Sequence, residues 1–226
     1  MQELFETYLP NLVVRVPEFI KSIIDTLKML GLAGLFVFIL GTLLGILLIT
    51  AKPDGILEAK VLYQVIDKAI NIFRSIPFVI LISLLLPLTR AIVHTSIGVK
   101  GAIVPLVIGT IPFYARQVEA ALAQVGGGVV EAAKAMGMSP LSIIFKVYLK
   151  EGIPSLSRAT TITAINLLGL TAMAGAVGAG GLGDFAIRYG HNRYMTDITW
   201  ITTIVLILFV CLLQVIGNII AKRSTH

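Results

Sequence analysis

The chain has 226 residues, 57% of them hydrophobic and 13% charged, and its mean hydropathy is +0.94. A soluble domain carries about 25% charged residues and roughly 20 consecutive apolar residues cross a bilayer, so this composition excludes an ordinary soluble protein. Five or six spans would use most of the length, leaving no room for a large extramembrane catalytic domain, and the net charge of +6 is read first as membrane topology.

The opening stretch MQELFETYLP is acidic and lacks the basic start of a secretory signal, so it is expected to be retained. Leu12, Val13, Val16, Phe19, Ile20, Ile23 and Ile24 then recur near the helical period and predict an interfacial helix within residues 1–28. An ionised side chain at mid-bilayer costs at least about 2.5 kcal/mol, so the long charge-free windows at 29–51, 159–183 and 198–221 predict spans. Two shorter windows, lengthened by flanks whose end charges can snorkel, predict spans at 69–88 and 96–115. In the first span Gly41 and Gly45 form a G-x-x-x-G pair that permits close helix approach. The expected fold class is an all-α integral membrane protein with five transmembrane helices in a single domain, residues 1–226.

Orientation follows from the basic residues. With the 52–68 segment, the 116–158 loop and the C-terminal tail in the cytoplasm, that side holds Lys52, Lys60, Lys68, Arg74, Arg116, Lys134, Lys146, Lys150, Arg158, Lys222 and Arg223. The outer side holds Arg15, Lys21, Lys28, Arg90, Lys100, Arg188 and Arg193, so N-out/C-in is expected.

Pro77 frees backbone groups from the helix ladder and predicts a kink, with Arg74 beside it either snorkelling to headgroups or bonding a neighbouring helix. Pro105 and Pro112 are expected to interrupt the third span. Apart from Arg74, no ionisable residue lies well inside an expected span, and there is no phosphate-cradling loop or metal-ligand spacing, so any energy for transport must come from another subunit. The string from Gly178 to Gly183 matches G-x-G-x-x-G, but it ends an apolar helix and reads better as close backbone packing.

The 125–159 segment carries the clearest punctuation. A helix around residues 129–136 should stop at Gly137 in a left-handed cap, after which Ser139 suits an N-cap and Pro140 the first position of a second helix. On that second helix Leu141, Ile144, Phe145 and Tyr148 are expected to share one face, and Val129, Ala132, Ala133 and Met136 give the first a closely approachable surface. An apolar helix outside the bilayer wants a groove on a partner. The turn also has helix-turn-helix spacing, but both ends are tied to spans and the second helix lacks base-reading Arg, Asn and Gln, so no nucleic-acid partner is expected.

Glu131-Ala132-Ala133, three residues, Gly137, then nine residues to Val147-x-Leu149, resembles the EAA loop of ABC importer permeases, with Lys150 where the family has proline. With the flanks Asn71-Ile-Phe-Arg74-Ser-Ile-Pro77-Phe, Ile111-Pro-Phe-Tyr-Ala-Arg116-Gln-Val-Glu119 and Ala172-Met173-Ala-Gly175 through Gly183, the chain is most similar to the methionine importer permease subfamily. The resemblance implies a type I importer permease in a bacterial inner membrane. It implies a homodimer forming the translocation pathway, two ATP-binding cassette ATPase subunits, an external substrate-binding protein and an amino-acid substrate, methionine in L and D forms. The chain itself would be no enzyme and bind no cofactor, ATP and Mg being held by the ATPase. The 116–158 loop would dock that ATPase through Glu131, Ala132, Ala133, Gly137, Ser139, Pro140, Leu141, Ile144 and Phe145, while Met173, Ala172 and Gly175 would line the pathway and Arg74 and Pro77 serve structure. Met173 reads equally as gap-filling core, and Glu131 equally as a charge near a helix N-terminus that favours the dipole. An importer permease for another small solute, and a self-contained channel or secondary carrier, stay open.

Overall fold

A computed structural model describes residues 8–224; the expected retained stretch at residues 1–7, and His226, lie outside them. The described residues form helices and turns without a strand. Helix α1 is Pro10–Val14 and α2 is Val16–Ala51. The 36 residues of α2 run unbroken through Lys28, where the sequence suggests the end of a separate interfacial helix. Its one proline, Pro17, sits in the first turn, where a missing N–H costs nothing.

The expected 69–88 span is not one helix. It is divided among α3, Lys60–Ser75, α4, Phe78–Leu84, and α5, Leu86–Val93. Ile76 is extended at ψ 121° and Pro77 caps α4, so the proline ends the helix as well as bending the chain. By contrast α6, Gly98–Ala123, continues through Pro105 and Pro112, both buried. The expected interruption of that span does not occur; the surrounding turns and packing carry the helix past the lost ladder bonds. After the loop, α9 is Ile153–Ala174 and, beyond an irregular turn and the short α10, Gly181–Phe185, α11 is Thr196–Arg223. Four helical segments, in α2, α6, α9 and α11, are long and apolar enough to cross a membrane.

The chain forms two compact units, through which α2, α6, α9 and α11 each run. In the first unit, Met1–Gly34, Pro77–Val107 and Ile165–Leu212, Leu12, Phe185, Tyr189 and Ile198 make a buried cluster. The Phe185 ring lies 5.4 Å from Phe19 and 5.1 Å from Tyr189. Asn11 clamps α1 onto this cluster, donating its backbone and side-chain N–H groups to the two oxygens of Asp197, each at 3.0 Å. In the second unit, Leu35–Ile76, Ile108–Ala164 and Leu213–His226, Leu48, Ile70 and Ala115 are the buried centre. The G-x-x-x-G pair does what its spacing suggests. A Cβ at Gly41 would lie 2.6 Å from Tyr114, and one at Gly45 2.8 Å from the Ala115 carbonyl, so α2 and α6 touch at van der Waals distance only because both positions lack a side chain. The Tyr114 hydroxyl then bridges to Thr160 on α9 at 2.8 Å.

Candidate functional site

The loop hairpin of the second unit is built by local rules. Its first helix, α7, is Gly127–Ala135. The chain leaves α7 through Gly137 at φ +76°, with Gly137 N–H donating to the Lys134 carbonyl at 3.0 Å and Met138 N–H to the Ala133 carbonyl at 3.1 Å. This is the double hydrogen bond of a Schellman cap, and only glycine adopts its left-handed residue without strain. Two residues later Ser139 Oγ accepts from Ser142 N–H at 3.3 Å and Pro140 opens α8, Pro140–Ile143, which continues as a π-wound segment over Ile144–Leu149. Helix, sharp turn and helix therefore fall where the punctuation indicates.

The side chains sort differently from the expected single apolar face. Ile143, Ile144, Val147 and Tyr148 are buried together with Val130 and Ala133, whereas Leu141 and Phe145 are 66% and 65% exposed. The buried positions recur at i, i+1, i+4 and i+5, so the inward face is turned about the axis from the expected one, taking in Ile144 and Tyr148 and leaving Leu141 and Phe145 out. Burial also pushes the Tyr148 phenol above its ordinary pKa. Glu131, Ala132, Ser139 and Pro140 join Leu141, Phe145 and Met136 on the exposed side, and Ala133 is the hinge contact beneath them. The outward surface is thus a short apolar ridge with one carboxylate, held by a buried base. Lys150, in the position of the family proline, is exposed and helical.

At the root of this hairpin lies a polar network. Arg116 on α6 pairs with Asp67 on α3 and, at 2.6 Å, with Glu119, whose other oxygen accepts from Tyr63 at 3.2 Å. Arg116 and Glu119 stand three apart within a motif that carries the resemblance, though neither is among the expected site residues. Asp67 and Tyr63 arrive from a helix about fifty positions away, and no local pattern announces the meeting.

The remaining expected residues separate. Arg74 is exposed in the last turn of α3, where a cation favours the helix dipole, and makes no hydrogen bond to another helix among the described residues. Met173 is 42% exposed near the end of α9 and Ala172 is half-buried. Gly175 is buried: the chain reverses through Gly178 and Gly180 at φ +93° and +79° and returns so closely that a Cβ at Gly175 would strike the backbone of Asp184. Gly183 similarly abuts the backbone of Ala172. Close packing, not a nucleotide cradle, is what the G-x-G-x-x-G string builds here.

Against known proteins, the profile of the family described as binding-protein-dependent transport system inner membrane component matches residues 39–226. The chain is 47% identical over 202 residues to the probable D-methionine transport system permease protein MetI of Vibrio cholerae, covering 89% of this chain and 90% of the relative. It is 44% identical over 224 residues to the methionine import system permease protein MetP of Bacillus subtilis, covering 97% and 100%. A chain of the MetNI methionine ABC transporter in an inward-facing conformation superposes with a TM-score of 0.91 at 42% identity, covering 94% of this chain and 98% of that one. An amino acid ABC transporter shares the fold at a TM-score of 0.77 and 20% identity. The chain therefore has the type I ABC permease fold and belongs to the family of inner-membrane components of binding-protein-dependent transport systems.

Proposed function

We propose that this chain is the membrane-spanning permease of an ATP-driven methionine importer, working as a homodimer with two ATPase subunits and an external binding protein. The near-full-length likeness to methionine permeases carries the substrate assignment. In this reading the chain crosses the membrane five times, N-out and C-in, with α4 and α5 together supplying the crossing that no single long helix provides. Five helices are few to enclose a pathway, and a two-fold copy doubles them around a shared axis.

The 116–158 loop docks the ATPase through its exposed ridge, Leu141 and Phe145 entering a groove and Glu131 at the edge, while Gly137, Ser139 and Pro140 set the angle between the helices. Ala132 and Ala133 keep the approach close, and Ile144 ties the ridge to the buried base. ATPase closure then rocks the two permeases between inward and outward states as rigid bodies. Met173 is the flexible apolar gate of the pathway, with Ala172 beside it and Gly175 allowing the turn behind it to close. Arg74 and Pro77 fix the end of α3. ATP and Mg belong to the ATPase, and both methionine enantiomers are substrates, the external protein choosing between them.

The test is uptake of radiolabelled L- and D-methionine into proteoliposomes holding the permease, its ATPase and the binding protein, beside a Gly137→Pro variant. Proline cannot adopt φ +76° and removes the capping N–H. ATP-dependent uptake abolished by the variant is expected. Uptake of another solute alone would discard methionine, and ATP-independent flux would discard the importer.

A further inference from the structure

The first unit contains a cleft of about 490 Å³, within the range of roughly 300–1,000 Å³ that small-molecule sites occupy. One wall is a single face of α2, where Glu18, Lys21 and Asp25 stand at i, i+3 and i+7 with charges alternating in sign. Lys21 and Asp25 are one turn apart yet do not close on each other: Lys21 has no ion-pair partner among the described residues, and Asp25 reaches only Lys28, at 3.9 Å. Opposite them runs the turn of residues 178–181, three glycines and the buried Ala179. A Cβ at Gly178 would meet nothing within 4 Å, and one at Gly180 would meet only the Asp25 carboxylate, at 3.7 Å. Thr26 fastens this turn by accepting the Leu182 N–H at 2.8 Å, and Phe185 forms part of the lining.

We infer that this cleft binds the zwitterionic head group of a free α-amino acid. The ammonium is taken by Asp25, and the carboxylate by Lys21 and the bare glycine backbone, a mode in which charge-assisted hydrogen bonds fix a short ligand at both ends. The alternation of sign selects this class. A phosphate would face Glu18, Asp25 and Asp184, and a metal cation would face Lys21, Arg188 being paired with Asp184. The inference rests on the reading of the chain as an amino-acid permease and adds to it a site at the outer mouth, ahead of the gate.

Val99 lines the cleft and supplies the reporter. In permease–ATPase complex in nanodiscs, without binding protein, Cys211→Ser with Val99→Cys is labelled by a small hydrophilic maleimide while ligands compete. Methionine and glycine should each slow labelling saturably, whereas methylamine and acetate, each half of a head group, should not. Asp25→Asn and Lys21→Gln should each raise the half-protecting concentration about tenfold, with the complex's ATPase activity retained as the check on folding. Unchanged labelling under methionine, protection equally strong in both variants, or protection only by added binding protein would overturn the site. Methionine uptake without protection overturns the cleft and leaves the importer standing. Protection without methionine uptake leaves the cleft and moves the substrate assignment, and loss of both discards both.

Discussion

At residue 137 a Cβ would meet nothing within 4 Å, whereas at residue 183 it would run into the backbone of Ala172. Both belong to chain reversals, Gly137 at the turn between α7 and α8 and Gly183 in α10, the short helix that returns against the end of α9. The first needs glycine for its backbone angle, and the space around it stays open. The second needs glycine because two stretches of backbone touch. A reversal of the first kind leaves its outer surface free for a partner, while one of the second kind is committed to its own neighbours. A side chain at residue 137 therefore meets only backbone strain, while one at residue 183 meets another stretch of backbone.

Gly183→Ala should break this contrast most visibly, since neither backbone can retreat. Overpacking by one methyl costs about 1–3 kcal/mol where side chains can yield, and here they cannot, so a drop at or above that range is expected in the thermal midpoint of the purified complex. Arg116→Met tests the root of the hairpin. Removing one partner of a buried pair costs about 3–5 kcal/mol, but Arg116 and Asp67 retain 19% and 32% exposure, which lowers the expectation to about 1–2 kcal/mol. Uptake should fall more than ATPase activity, because the network joins α3 to the helix leading into the loop.

Gly137→Ala should cost about 1 kcal/mol, the strain of a left-handed residue with no added clash, and Gly137→Asn should recover much of it; equal effects at 137 and 183 would erase the distinction drawn above. Ser139→Ala, losing one N-cap bond, should cost about 0.5–1 kcal/mol at this exposed site. The smallest effect lies outside both reversals. Lys60, bonded to Glu58 at 3.0 Å, holds that carboxyl below its ordinary value of 4.5. Its contribution is present above the ordinary value and lost as pH falls through the lowered one, so Glu58→Gln and the parent should differ only at the higher pH. That difference should sit at the detection limit of a thermal melt and vanish in high salt.

What the sequence made legible is what local chemistry decides. Gly137, Ser139 and Pro140 each act within four residues of themselves, so the hairpin's punctuation lies in the string itself. Gly41 and Gly45 announce a close approach, though not that Tyr114 and Ala115 receive it. Periodicity gave the helix but not which side of it turns inward: the face expected to unite Leu141, Ile144, Phe145 and Tyr148 is divided in the structure, because Ile143 and Val147 complete the buried side. Proline was equally ambiguous. Pro77 ends a helix with an extended residue before it, while Pro112 lies buried inside α6. The identical residue gives opposite outcomes because packing, absent from the string, decides whether the neighbouring turns hold. The Arg116 network and the charged face of α2 needed the fold as well, since each acquires meaning from what stands opposite it.

The 36 residues of α2 measure about 54 Å at 1.5 Å each, against a hydrocarbon core of about 30 Å. Tilting by about 40°, the upper end of the observed range, accommodates only about 39 Å, so roughly a quarter of the rod must stand in water and headgroups whatever its inclination. The charge-free run after Lys28 is about 34 Å long and matches the oily layer with a modest lean. On the five-span reading proposed for the chain, Lys28 marks the edge of the oily layer, and the N-terminal third of the helix stands beyond it, stiff because it is continuous with the part inside.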